Sequence, residues 1–203
     1  WPDIAGISGS DPVDREYRNA KGAWVDTATG NIVAAGSRGI GTGVNFREEP
    51  FLSTFRADGT GGAFADVPTP LLNRDVVTNA VRTPDGKFLF TGNARLDAGS
   101  VSFIEILAAR YTATLSPPAL AVDASFGIDA VTRHFFPRGN ETSAAVAANA
   151  EGVFFYAGSI RSETHARAPV VTREPANGTA ISTVVTDWGG GDASWGAVAA
   201  CTG

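Results

Sequence analysis

The chain has 203 residues and 43% of them are hydrophobic, enough to bury a sizeable core, which excludes an intrinsically disordered protein. Its net charge of −5 is modest and is spread along the sequence without a basic cluster, so nucleic acid is not an expected partner. No apolar run approaches the roughly 18 residues that a transmembrane helix needs, so membrane insertion is not expected either.

Residues 1–16 show little hydrophobic periodicity, and we interpret them as a lead-in to the first structural repeat. That repeat opens with a β-hairpin whose turn contains Thr29 and Gly30, because a small polar residue followed by glycine supplies a positive φ at little cost. A glycine-containing loop, 37–49, separates the hairpin from two further strands. The strands predicted for this repeat are 17–27, 31–36, 51–56 and 63–67.

The second repeat has the clearest strand pattern. Its hairpin turns at Asp85 and Gly86, and the strand that follows is apolar throughout instead of alternating. A continuous apolar strand predicts burial on both faces, as for a sheet packed between two neighbours. Pro117 and Pro118 are interpreted as a connection. The strands predicted for this repeat are 75–83, 87–92, 101–112 and 130–136.

The third repeat turns first at Glu151 and Gly152 and again at Asn177 and Gly178. No stretch keeps an apolar period of 3.6 over a dozen residues, so no helix is predicted. A last apolar segment, 195–199, matches the first strand of another unit. The strands predicted for the third repeat are 142–148, 153–158, 167–173 and 180–187.

The turn glycines Gly30, Gly86 and Gly152 lie 56 and 66 residues apart, and each precedes an apolar strand that closes on another glycine. Periods of this size indicate propeller blades or a β-array. We therefore predict an all-β, β-propeller-like array of antiparallel four-stranded blades, with three repeats plus the first strand of a fourth. The single β-repeat domain, 1–203, divides into the lead-in 1–16, repeats 17–73, 74–139 and 140–188, and the start of a fourth repeat, 189–203.

Four segments carry a resemblance to a known family. Segment 106–111 is an apolar strand that ends in Ala-Arg-Tyr, and 122–127 contains an Asp-x-Ser-Phe-Gly turn. Together they resemble the junction of the delta-60 repeats, predicted bacterial β-propeller repeats; 84–87 resembles that family's Pro-Asp-Gly-Lys hairpin and 186–191 the start of its next unit. The resemblance is partial in the first and third repeats, which lack the Ser-Phe-Gly turn. It implies a secreted or cell-surface bacterial propeller and lends no catalytic residues, since the family has no established activity.

An extracellular location also fits a chain that begins at Trp1 and contains no methionine, the pattern of a processed mature protein or a fragment. Cys201 stands alone, so it cannot form an internal disulfide. Three repeats and part of a fourth fall short of the four to eight blades of closed propellers. We therefore expect the fold to be completed by more sequence, by a partner chain or by copies of the same chain.

Motifs for cofactors and metals are weak. The glycines in 39–43 lack the spacing of a dinucleotide loop and precede a strand instead of a helix. No Cys and His spacing suits zinc. Calcium stays open at two loops with aspartate and glycine, 58–62 and 187–192, although neither has the spacing of a known calcium loop. No cofactor is therefore predicted.

In a propeller, the loops between second and third strands share one face with the loops between blades, and ligands often bind there. Arginines, carboxylates and a tryptophan on that face suit a carbohydrate or a protein ligand, although solvated loop residues would look the same. The residues predicted to form this ligand-binding surface are Arg38, Arg95, Asp97, Arg161, His165, Trp188 and Asp192, with Asn45 and Glu163 beside them.

These patterns predict a non-enzymatic extracellular binding or scaffolding module. The alternative is part of a propeller-type hydrolase or lyase whose active site is completed by another segment or chain. Glu105 is the one carboxylate in an apolar strand that could serve such an enzyme. We expect it instead on an outer strand, facing solvent or an arginine.

Overall fold

The computed structural model describes residues 17–40, 47–60, 63–66, 76–98, 101–128, 130–134, 139–162, 168–178, 182–185 and 198–199. Within these ranges the chain forms β-strands and no helix. The strands are β1 Tyr17–Val25, β2 Ile32–Ile40, β3 Arg47–Phe55, β4 Ala63–Asp66, β5 Val76–Arg82, β6 Phe88–Ala98, β7 Val101–Leu115, β8 Pro118–Val122, β9 Val131–His134, β10 Gly139–Ala148, β11 Phe154–Ser162, β12 Ala168–Glu174 and β13 Ser182–Val185.

The described strands form three antiparallel sheets that follow one another along the chain. Sheet 1 has the order β1-β2-β3-β4, sheet 2 contains β5 to β9, and sheet 3 has the order β10-β11-β12-β13. The predicted all-β, antiparallel class is therefore confirmed for the described residues. Among these residues no strand of one sheet pairs with a strand of another, and they form no closed ring, so the propeller arrangement stays a prediction.

Two local predictions need correction. The segment around Pro117 and Pro118 is not only a connection, because β8 begins at Pro118 and pairs with the far end of β7. Strand β9 pairs with β7 nearer its start, so sheet 2 has five strands. The loop predicted at 37–49 is also shorter, since β2 continues to Ile40 and β3 starts at Arg47. A proline is tolerated as the first residue of an edge strand because no ladder hydrogen bond is required of it there.

The glycine that closes each apolar strand lies opposite a β-bulge. The first strand of every sheet shifts its register immediately beside its pairing with Gly36, Gly92 or Gly158. A Cβ on Gly92 would lie 1.9 Å from the carbonyl oxygen of Val76, and one on Gly36 would lie 2.0 Å from that of Asn19. Both distances are far inside contact range, so the bulge requires a residue without a side chain.

The core consists of two apolar layers on either side of sheet 2. Phe88 and Phe90 pack toward sheet 1, against Val33 and Leu52. Leu89, which points the opposite way because strand residues alternate, packs in a second cluster toward sheet 3. The prediction that this strand is buried on both faces is therefore confirmed.

The sheets stack head to tail, so that equivalent faces of successive sheets point the same way along the stack. Val33 of sheet 1 and Leu89 of sheet 2 both lie three residues before their closing glycine, and each faces the next sheet along the chain. Phe88 of sheet 2 and Phe154 of sheet 3 also occupy equivalent positions, and each faces the preceding sheet. Sheet 2 thus has one face for sheet 1 and the opposite face for sheet 3.

Each sheet has two ends. The turn end carries the hairpin turns of Gly30, Gly86 and Gly152, all of which have positive φ, as predicted. The loop end carries the connections from β2 to β3, from β6 to β7 and from β11 to β12. The lead-in 1–16 and most of the predicted fourth repeat lie outside the described residues.

Candidate functional site

A cleft of about 150 Å³ opens at the turn end, between sheets 2 and 3. One wall is the β5–β6 turn and the other is the β10–β11 turn. Buried Arg110 and Phe154 also line it. The complete lining is Thr83, Pro84, Asp85, Arg110, Ala150, Glu151, Gly152, Phe154 and Ala176.

The β5–β6 turn is held by its own hydrogen bonds. The backbone N–H of Thr83 donates to the carbonyl oxygen of Lys87 at 2.8 Å, and Gly86 N–H donates to that of Thr83 at 2.9 Å. The Thr83 hydroxyl is within hydrogen-bonding reach of both the Asp85 carboxylate and the Lys87 carbonyl. Because the turn is closed by these bonds, Asp85 and Lys87 are held in fixed positions beside the cleft.

Arg110 is the central charged group of the site and is only 5% exposed. Its Nε donates to Asp123 Oδ2 at 2.7 Å, and Nη2 donates to Ser125 Oγ at 3.2 Å. Nη1 donates to the carbonyl oxygen of Ala176, in the turn that follows β12 of sheet 3. The guanidinium carbon also lies 4.7 Å from the centre of the Phe126 ring, a cation–π distance.

Asp123 is held as a carboxylate by its neighbours. Burial by itself raises the pKa of Asp123, but hydrogen bonds from Ser125 and Lys87 and the charge of Arg110 outweigh this effect. The net result is a pKa well below its ordinary value. Lys87 Nζ lies 3.0 Å from Asp123 and 3.2 Å from Asp85, and its pKa is raised, chiefly by the hydrogen bond to Asp123.

The turn that contains Asp123 also docks on sheet 3. Gly127 N–H donates to the carbonyl oxygen of Asn177 at 3.0 Å. A Cβ on Gly178 would lie 2.8 Å from Thr132 and 2.9 Å from the nitrogen of Gly127, so the two turns touch backbone to backbone. The Asp-x-Ser-Phe-Gly turn therefore joins sheets 2 and 3.

The chemistry open to the cleft follows from this pairing. Arg110 and Lys87 both pair with Asp123, which holds Arg110 in place for its hydrogen bond to the Ala176 carbonyl across the sheets. Asp85 and Glu151, at the rim, are exposed carboxylates that could contact a polar ligand. In the part of the chain that the structure describes, no group of three or more His, Cys, Asp or Glu residues could hold a metal ion.

Two other buried carboxylates escaped the sequence analysis. Glu174 is completely buried and accepts a hydrogen bond from the hydroxyl of Tyr156. Burial, the charge of Glu174 and this hydrogen bond raise the pKa of Tyr156 well above its ordinary value. Glu48 of sheet 1 is buried too and accepts from the backbone N–H of Val77 in sheet 2 at 2.8 Å. No local pattern marks such residues, because their partners are far away in the sequence.

The prediction that Glu105 lies on an outer strand is wrong. Its strand, β7, lies between β6 and β9, and the side chain is buried. The expected alternative of an arginine neighbour holds, since Arg133 Nη1 of β9 lies 3.7 Å from Glu105 Oε2.

The described members of the predicted ligand-binding surface all lie near the loop end, opposite the cleft. Half-buried Arg38 is near the end of β2, and exposed Arg161 is near the end of β11. Arg95 and Asp97 are near the end of β6, with side chains outside the described parts. The ligand role of these residues stays a prediction. The members outside the described residues are Asn45, Glu163, His165, Trp188 and Asp192.

Of the two loops left open for calcium, one is described in part. Asp58 Oδ1 accepts hydrogen bonds from the backbone and the hydroxyl of Thr60, at 2.8 and 2.7 Å. This carboxylate oxygen is therefore engaged in hydrogen bonds that stabilise the turn in which Asp58 lies. The second loop, 187–192, lies outside the described residues.

Comparison with known proteins found no family model that matches the chain and no curated protein with significant similarity to it. The resemblance to delta-60 repeats accordingly stays a prediction. Within the described ranges, no helix has the length and apolar character to cross a membrane.

Proposed function

We propose that the chain is a non-enzymatic binding or scaffolding module built from β-propeller-type repeats, like the delta-60 repeats that it resembles, and that it works outside the cell. The observation that carries this proposal is the stacking of three successive antiparallel sheets face to face through two apolar layers. Rigid sheets hold the loops at their ends at a constant spacing, which suits a surface that binds or organises another molecule.

Buried charged groups support a structural role for the contacts between successive sheets. Arg110 contacts groups from two sheets, and Glu48 of sheet 1 accepts a hydrogen bond from sheet 2. Such contacts add directional, charge-assisted hydrogen bonds to the apolar layers. They fit a scaffold in which the angle between successive sheets must be constant.

The ligand-binding surface is proposed at the loop end. This proposal is supported by the sequence positions of Arg95 and Arg161, each of which lies three residues after the closing glycine of its strand. Arginine donors suit hydroxyl and carboxylate groups, and Trp188 would add an apolar stacking surface. The proposed ligand is a carbohydrate or a protein, bound without a cofactor.

Binding to arrays of glycans and peptides tests this function. The variant Arg161→Ala should weaken any binding found by about tenfold, the usual scale for loss of one important contact. Arg82→Ala, a half-buried arginine at the turn end, is the matched control and should leave binding unchanged. Two results would place the ligand elsewhere. One is an equal loss of binding affinity in Arg161→Ala and Arg82→Ala, and the other is unchanged binding by the double variant Arg161→Ala with Arg95→Ala.

The fold is proposed to be completed by further repeats, supplied by more sequence, a partner chain or copies of this chain. The alternative of a hydrolase or lyase has no specific observation in its favour among the described residues, since Glu105 lies beside Arg133 and Asp123 beside Arg110 and Lys87.

A further inference from the structure

Sheets 1 and 3 are the outer sheets of the described stack, and their turn ends carry groups at positions equivalent to those that meet between sheets 2 and 3. Sheet 3 has no described sheet after it, and sheet 1 has none before it. The interface between sheets 2 and 3 shows which groups meet when the first sheet of a pair carries an arginine on its third strand; sheet 1 has Thr54 at that position. The equivalent groups on the outer sheets can be compared with it position by position.

Arg173 of sheet 3 occupies the position that Arg110 occupies in sheet 2. Arg110 pairs across its strand with Leu89 and Arg173 pairs with Phe155, and both partners lie three residues before a closing glycine. Arg110 is buried against sheet 3, whereas Arg173 is exposed. The equivalent position thus carries a guanidinium in both sheets, buried in sheet 2 and exposed to solvent in sheet 3.

Sheet 1 carries the matching acceptor. Arg110 donates to the carbonyl of Ala176, in the turn that follows the third strand of sheet 3 and that is closed by Gly178 N–H on Pro175. The turn after the third strand of sheet 1 has the same closure, from Gly59 N–H to the carbonyl of Arg56 at 2.8 Å. Ala57 is therefore the equivalent of Ala176.

The turn that contains Gly59 in sheet 1 is open to solvent, whereas the equivalent turn of Gly178 in sheet 3 is covered by sheet 2. No atom lies within 4 Å of a Cβ built on Gly59, whereas Gly178 contacts the preceding sheet. Ala57 and Asp58 are exposed, and Val25, on the same outward face, is 60% exposed. Farther along the same face Phe51 is buried, whereas the turn and Val25 are open to solvent at the turn end.

We propose that a second copy of the chain docks head to tail on this surface, with Arg173 of one copy against the turn of Ala57 and Asp58 in the other. The proposal deepens the proposed function by naming which copy completes the repeats and through which residues. Charge favours it, since the Arg173 guanidinium would face the Asp58 carboxylate. A head-to-tail contact used twice closes two copies into a ring of six sheets, within the four to eight of known propellers.

Sedimentation velocity of the whole 203-residue chain over a wide concentration range tests the proposal. The expected result is a monomer of 20.9 kDa in equilibrium with a species of twice that mass and no larger series. Val25→Asp and Arg173→Glu should each weaken the dimer by about tenfold or more. Val122→Asp, a 41% exposed strand valine of sheet 2, and Arg161→Ala are the controls and should leave it unchanged.

A double variant with a compensating charge tests whether loss of the dimer comes from misfolding. Combining Arg173→Glu with Ala57→Lys should restore the dimer that Arg173→Glu loses, with circular dichroism unchanged in all variants, because exposed Ala57 can be replaced without removing the hydrogen bonds of Asp58 to Thr60. A monomer at every concentration, an open-ended series of oligomers, or a dimer unaffected by Val25→Asp would each overturn the proposal. Ligand binding measured on the same variants separates this outcome from the proposed function, which depends on the loop end.

Discussion

Arg110 and Ala176 belong to different sheets, and the guanidinium of the arginine donates a hydrogen bond to the carbonyl oxygen of the alanine. The same guanidinium is paired with Asp123 of its own sheet at 2.7 Å. One buried cation therefore joins two sheets that share no hydrogen-bonded strand, and the energetic consequences of removing it can be measured.

Arg110→Ala should lower the free energy of unfolding by about 3–5 kcal/mol, because Asp123 would lose its main buried partner. Urea unfolding followed by tryptophan fluorescence measures this. The exposed Arg161→Ala is the control and should change stability by no more than about 0.5 kcal/mol. Similar effects of the two substitutions would contradict a central role for Arg110.

Stability should fall in acid through Asp123. An aspartate in the unfolded chain titrates near its ordinary pKa of 3.8, whereas the folded-state pKa of Asp123 lies well below it. The stabilisation is thus complete above the unfolded pKa and is lost as pH falls toward the folded pKa. Urea unfolding at several pH values should show a steeper loss below about pH 4 for the natural chain than for Asp123→Asn. The other aspartates of lowered pKa are present in both the natural chain and Asp123→Asn. If the two proteins lost stability in parallel as the pH falls, this prediction would be contradicted.

Gly92→Ala should destabilise the fold by at least about 3 kcal/mol, because its Cβ would overlap the Val76 carbonyl oxygen across the bulge. Gly59→Ala is the comparison. Gly59 has a positive φ of 81° but open space around its Cβ position, so its replacement should cost only about 1–2 kcal/mol. The order of the two midpoints in thermal or urea unfolding checks the prediction, and a reversed order would mean that the bulge can relax.

Tyr111 and Tyr156, both buried, should respond differently to loss of the hydroxyl. Tyr156→Phe removes a hydrogen bond donor to buried Glu174 and should cost about 1–3 kcal/mol. The hydroxyl of Tyr111 is buried without a hydrogen bond partner in the described structure, so Tyr111→Phe should be neutral or slightly stabilising. Urea unfolding of both variants measures the difference. A large loss from Tyr111→Phe would reveal a partner for its hydroxyl.

Much of the local structure was predictable from short stretches of sequence. The turns at Gly30, Gly86 and Gly152 need only a positive φ, which glycine supplies wherever it stands. The apolar run around Leu89 predicted a strand buried on both sides, and the structure places an apolar layer on each side of it. These features depend on neighbours in the chain, so the sequence displays their cause directly.

The sequence by itself therefore determined the all-β, antiparallel class, the hairpin turns and most of the strands, but not β8. Only the tertiary structure decided that the closing glycines lie opposite bulges, that β8 extends β7, that Glu105 and Glu174 are buried, and that Arg110 joins two sheets. The physical reason is the sequence distance between partners. Arg110 and Ala176 are 66 residues apart, and no local pattern records a hydrogen bond that forms only when two sheets stack.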